Sequence, residues 1–431
     1  MTRSRLREKL EGVNRRLIGN VTSLSIVQAA NYLVPLITLP YLVRVLGPQK
    51  FGLVAFAQAF TQYFVVLTEY GFNLSATRQI AIHKEDSQRV SVIFSSVIVT
   101  KALLMFVSFL LMVTIVLAVP QFRSNWPLYL ASFLVVVGNV LFPVWFFQGI
   151  ERMKYITGLH VSARIFVTVA LFALVRQESD YVLAAGLQAG SLVLAGVLGI
   201  PVIRSLGIVH MRLPTVREIL AALREGRHVF VATAAISLYT ASNTFILGLI
   251  ATPTVVGYFS AAEKLVKAAQ QLLNPISQSV YPHISALAAQ SREAALEFIR
   301  RTLRWVGAGA FLTSSALFVL AGPLVTLLLG DQYTSSVMLV RLMAFVPWVI
   351  ALSNVFGIQT MLTFGLNRAF STIIVLAGLF NVFLSVTLAY LLEARGAAIS
   401  VLVTETLIAL SMGLVLYSRG YNLFKFEKRT A

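Results

Sequence analysis

Long apolar runs alternate with short polar breaks along the whole chain. The runs fall near residues 20–43, 50–70, 91–118, 127–149, 155–175 and 182–203, and again near 229–250, 255–282, 303–328, 336–363, 369–391 and 397–417. Each is about 20 residues or longer, enough for a helix rising 1.5 Å per residue to cross a hydrocarbon layer of roughly 30 Å. Buried strands would be far shorter. The pattern predicts an all-α polytopic membrane protein of twelve transmembrane helices, with the first run a retained span.

The polar breaks supply orientation. The N-terminal stretch, the even-numbered loops and the C-terminus carry most of the 35 basic residues, whereas the odd-numbered loops hold only Arg44, Lys50, Arg123, Arg176 and Arg395. Cytoplasmic loops retain Lys and Arg, so both termini are expected in the cytoplasm. A polar stretch at 204–227 separates two sets of six runs. This divides the chain into an N-terminal bundle (1–203), a cytoplasmic linker (204–227) and a C-terminal bundle (228–431).

The halves share a short motif. Pro48-Gln-Lys-Phe-Gly52 in the first matches Pro253-Thr-Val-Val-Gly257 in the second, an offset of 205 residues. Six spans per repeat is an even number, so the repeats keep one orientation and a pseudo-two-fold axis would lie along the membrane normal.

Composition narrows the function classes. The chain is 58% hydrophobic and 12% charged, about half the charged fraction of soluble proteins. Its net charge of +18 is spread over loops instead of one soluble face, which argues against nucleic acid as a partner. There is no cysteine, and no phosphate-binding loop, HExxH or nucleophile elbow, so the expectation is a transporter without catalytic residues, metal or cofactor. Any energy input would come from an H+ or Na+ gradient, the substrate gradient or a partner.

Polar side chains inside spans are the functional candidates, because a charge at a helix centre costs about 2.5–3.5 kcal/mol on insertion scales. Gln58, Gln62 and Glu69 are spaced by four and seven residues on span 2 and share a face. The 205-residue offset carries them to Glu263, Lys267 and Asn274 on span 8. We read these as a polar cavity face; the competing reading is a structural i,i+4 pair of Glu263 with Lys267. Lys264 adds a cation, and Arg164 lies deep in span 5. Together Arg164, Lys264 and Lys267 suggest a cationic lumen for an anionic head group. Lys101 and Arg341 lie nearer span ends, where long basic side chains snorkel. Gln28, Asn31, Pro35 and Pro40 on span 1 suggest a bent helix, gating or static.

The stretch from Asn31 to Pro48 (NYLVPLITLPYLVRVLGP), with Phe51-Gly52, Gln62-Tyr63-Phe64, the run from Glu69 to Arg78 (EYGFNLSATR), Ala344-Phe-Val-Pro347 and the run from Asn354 to Thr360, resembles Wzx-type polysaccharide flippases. These belong to the multidrug/oligosaccharidyl-lipid/polysaccharide exporter superfamily. The resemblance implies a MATE-like pair of six-helix bundles opening alternately. It also implies transfer of an undecaprenyl-pyrophosphate-linked O-antigen or related repeat unit across a bacterial inner membrane. Polysaccharide polymerase and chain-length proteins would then be candidate partners. An ion-coupled multidrug exporter would instead call for acidic lumen residues, a flippase for the peptidoglycan lipid precursor for extra spans. A membrane scaffold would depend on its loops.

Overall fold

The computed structural model describes the backbone of residues 3–271 and 274–423, and the side chains of 34–423 apart from 232, 235–236, 238–240, 272–279 and 282. Among the described residues every regular element is a helix. Among the described residues, eight helical stretches are long and apolar enough to cross a membrane. Two of them, Val34–Ile82 and Asn367–Ser418, are 49 and 52 residues long, more than twice the about 20 that one crossing needs.

Both long stretches are interrupted. Glu393 departs from helical geometry (φ 49°, ψ −127°), and Gly396 then lies so close to the preceding arm that a Cβ there would sit 1.8 Å from the Leu388 carbonyl oxygen. Further along, Asn381 Nδ2 donates to Thr404 Oγ1 at 3.0 Å. Paired positions that climb on one arm while falling on the other define an antiparallel hairpin, so this stretch is two crossings. In Arg3–Glu69 the one non-helical residue is Gly47 (φ 66°, ψ 169°), a conformation open mainly to glycine. Pro35 and Pro40, the expected kink, sit in helical backbone. Gln28 and Asn31 have side chains outside the described residues.

The helices bury polar side chains within an apolar core and expose large apolar ones, which a soluble bundle avoids. On Ser87–Ala118 the buried positions include Ser95, Ser96, Thr100, Lys101 and Ser108, while Phe106, Leu110 and Leu111 are exposed. Exposed Phe166 and Val169 on Met153–Leu174 and Phe383 on Asn367–Ser418 continue that outer surface. An apolar exterior of this extent is stable against lipid and would aggregate in water.

Two compact units emerge: 1–46 with 57–234, and 47–56 with 235–431. In the first, Trp126–Leu141 and Tyr181–Ser205 run parallel in close contact. A Cβ on Gly138 would meet Leu192 Cβ at 2.5 Å, and one on Gly196 would meet Leu141 Cβ at 2.6 Å. Small residues permit this approach of backbones. An aromatic core lies below, with the Phe94 ring 5.5 Å from Trp145 and 5.0 Å from Phe146. The run expected at 127–149 is broken at Phe142-Pro143, where Phe142 is extended as residues before proline tend to be.

The expected linker is ordered. After Tyr181–Ser205 the chain lies along the start of Ser87–Ala118: the Ser87 hydroxyl donates to the Ile208 carbonyl (2.6 Å), and the His210 and Arg212 amides donate to Ser91 Oγ (3.0 Å) and Ser95 Oγ (3.2 Å). Thr215 and Glu218 then form a reciprocal capping box that starts Val216–Ile250.

The second unit contains both copies of the repeated motif, packed on one another. A Cβ on Gly52 would lie 1.8 Å from the Pro253 oxygen, and a Cβ on Gly257 would lie 1.9 Å from the Pro48 oxygen. Reciprocal contacts between equivalent positions are what a local two-fold axis generates. The run expected at 336–363 is divided into Ser336–Met343, Val346–Asn354 and a π-helical turn, Val355–Leu362.

Candidate functional site

Charged and amide side chains gather in each unit separately. In the first unit, half-buried Gln58 donates from Nε2 to Gln188 Oε1 at 3.4 Å, whereas Gln62 is exposed. One helical turn past Phe64, Thr68 Oγ1 and Ser108 Oγ lie 3.4 Å apart. Lys101, 1% exposed, donates from Nζ to the Asn139 carbonyl at 2.7 Å. The Glu69 carboxylate supplies an opposite charge that acts on it at longer range. Lys101 therefore does not snorkel: its ammonium is held inside the unit, where a charge needs both a hydrogen bond and a counter-charge. Arg164 is half-buried on Met153–Leu174, its carbonyl accepting from the Thr168 hydroxyl at 2.7 Å.

The second unit brings together three of the expected residues on Pro253–Gln271. Lys267 Nζ lies 2.9 Å from Glu263 Oε1, with 15% of the Glu263 side chain and 50% of the Lys267 side chain exposed. The other Glu263 oxygen accepts from Thr244 Oγ1 at 3.4 Å. The structural i,i+4 pair is thus formed, but it is open on the Lys267 side. Lys264 turns the other way: its Nζ lies 4.9 Å from the centre of the Phe51 ring, itself edge-on to Tyr333 at 6.4 Å. A cation over an aromatic face is attracted by the ring quadrupole, by up to about 2 kcal/mol when desolvated. One carboxylate and two ammonium groups leave this stretch of the helix with net positive charge, divided between two faces. Asn274 has its side chain outside the described residues.

Sequence reasoning missed a buried polar set in the second unit. Ser400 Oγ donates to Asn243 Oδ1 at 3.1 Å, and Asn381, fully buried, bonds to Thr404 beside Glu405, which is 7% exposed. The signal was present as polar residues four apart, Asn381 with Ser385 and Ser400 with Thr404, on otherwise apolar runs. Only the Glu393 hairpin puts the two stripes face to face.

Two apolar-surfaced helical units with charged interiors define a multi-pass membrane protein. Its fold is that of solved transporters. The chain is similar over 95% of its length to an inward-facing multidrug resistance MATE family transporter of the MOP superfamily, which it covers completely (TM-score 0.63, 14% identity). It is likewise similar over 91% of its length to the lipid II flippase MurJ in an inward closed conformation (87% of that chain, TM-score 0.66, 12% identity). Residues 17–288 match the model of the polysaccharide biosynthesis protein family, and the chain belongs to that family. A relative from Escherichia coli (strain K12), named "Putative O-antigen transporter", is 37% identical over 90% of this chain and 94% of its own length. A relative of the same name from Shigella dysenteriae is 31% identical over 91% of this chain and 98% of its own. The family expectation carried by the Asn31 to Pro48 signature is thereby borne out.

Proposed function

We propose that this chain is a flippase that carries an undecaprenyl-pyrophosphate-linked oligosaccharide, an O-antigen or related repeat unit, from the cytoplasmic to the outer leaflet of a bacterial inner membrane. The observation that carries the reading is 37% identity, along nearly the full length of both chains, to the relative named "Putative O-antigen transporter". Charge inside the membrane supports it. Arg164, Lys264 and Lys267 are the bases we assign to the pyrophosphate, with Gln58, Gln62, Glu69, Glu263 and Asn274 as polar groups for the glycan. The two bundles alternate in exposing this surface, and the head group crosses while the lipid tail remains in the bilayer. Both termini lie in the cytoplasm, and an H+ or Na+ gradient supplies the energy, to which we assign the intramembrane carboxylates Glu263 and Glu405. Polymerase and chain-length proteins act on the delivered units.

The test is complementation. The gene is expressed in an O-antigen flippase mutant supplied with different glycan precursors, and surface glycan is read by gel and blot. Restored ladders are expected for at least one precursor. Undiminished surface glycan after deletion of the gene, in a host without redundant flippases, would overturn the proposal.

A further inference from the structure

The second unit carries a groove that the transport reading does not use. Two adjoining cavities of about 400 and 420 Å³ share Trp348, Leu352, Phe356 and Leu423. Their walls are Arg292–Val319, Val346–Asn354 with its π-helical extension, and the final arm of Asn367–Ser418. The first two run antiparallel: Gly307 faces Leu352, with a Cβ there 3.5 Å from Leu352 Cδ2, and the Phe311 and Trp348 rings meet at 5.5 Å. The hollow exists because Gly307, Ala308, Ala409 and Gly413 stand where larger side chains would fill it.

One end of the groove is basic. Arg300 and Arg304 line it there, and the described lining residues include no carboxylate. Arg300 Nε donates to the Asn422 carbonyl at 3.0 Å, a bond that uses one of the five guanidinium N–H groups. Beside them Trp305 and Tyr417 are 73% and 70% exposed. Exposed Trp and Tyr next to Arg mark the level of lipid head groups. From Arg300 to Phe311 the helix rises about 16 Å, roughly half of a 30 Å hydrocarbon layer. Phe311, Leu410 and Leu414, on the open side, are 45%, 61% and 68% exposed.

We propose that this groove is a binding site for an anionic phospholipid of the leaflet on the Arg300 side, its phosphate on Arg300 and Arg304 and one acyl chain along Leu352 and Phe356. A leaflet's depth of apolar wall ending in two guanidinium groups complements a chain of that length ending in a phosphodiester. The site is independent of the transport assignment and is tested without it.

The full-length protein is placed in nanodiscs of phosphatidylcholine and phosphatidylglycerol, and retained lipids are counted by native mass spectrometry. Phosphatidylglycerol is expected to be retained over phosphatidylcholine by at least about fivefold, in line with two arginines near an anionic surface. The preference is expected to vanish in R300Q/R304Q, and retained lipid is expected to fall in G307L/G413L, which fills the groove. Equal retention of the two lipids in the unmodified protein, or an undiminished preference in R300Q/R304Q, overturns the site. Replacement of phosphatidylglycerol by undecaprenyl phosphate when both are supplied reassigns the groove to a polyprenyl chain and overturns the phospholipid assignment. Should G307L/G413L fail to accumulate, the R300Q/R304Q comparison decides.

Discussion

Gly52 and Gly257 are positions where the protein has no room for a single methyl group. Each would drive its Cβ into a carbonyl oxygen of the other motif, and backbone cannot step aside as a flexible side chain can. G52A and G257A are each expected to lower stability by more than about 3 kcal/mol, read as a lost thermal transition in detergent. G309A, at a glycine with open space around it, should stay within about 0.5 kcal/mol. Lys101 poses the complementary problem of a buried charge. K101M leaves the Asn139 carbonyl and the Glu69 carboxylate without their cation and should destabilise by about 3 kcal/mol. Adding E69Q to K101M should recover part of that loss, and a double-mutant cycle showing no coupling would contradict the pairing of the two charges. The Glu263 and Lys267 pair is different, because Lys267 is half exposed and such pairs contribute about 0–1 kcal/mol. E263Q/K267M should therefore insert normally, so that loss of flipping in that variant reports on the lumen and not on folding.

At the scale of the element, the start of Val216–Ile250 depends on one carboxylate. The backbone amide of Thr215 bonds to Glu218 and holds its carboxyl below the usual carboxylate range, with desolvation opposing and the Arg212 side chain assisting. A depressed folded-state pKa means the carboxylate's contribution is complete above the unfolded value, about 4.3, and is lost as pH falls through the folded one. Hydrogen-exchange protection at this helix start, relative to the intrinsic rate at each pH, should fall on acidification below about pH 4.3, as the carboxylate protonates. In E218Q, where the amide can still cap, that pH dependence should disappear. The same segment shows why a polar stretch between apolar runs is a poor guide to flexibility. Residues 204–227 contain the hydrogen-bond partners of Ser87, Ser91 and Ser95, and partners distant in sequence leave no local trace. The bend of the first helix carries a related lesson. Proline announces itself in a sequence, but the backbone breaks at Gly47, where positive φ is cheap, and the chain stays helical through Pro35 and Pro40.

For the whole molecule, the proposed orientation predicts that a C-terminal green fluorescent protein fusion will fluoresce and a C-terminal alkaline phosphatase fusion will be inactive. The opposite pair of results rejects cytoplasmic termini. The helical, membrane-spanning character and the family were legible without coordinates, because length and hydropathy of a span are properties of contiguous residues and the signature from Asn31 to Pro48 is itself contiguous. The motif shared by Pro48–Gly52 and Pro253–Gly257 likewise announced a repeat. What tertiary structure alone decided is which polar residues meet. It placed Lys101 on the Asn139 carbonyl, sent Lys264 to the Phe51 ring, and brought Asn381 against Thr404 across the Glu393 hairpin. Those outcomes depend on backbone turns at single residues and on partners tens of residues away or more. A charge inside lipid must find its partner wherever the fold supplies one, and the sequence states only that the charge is there.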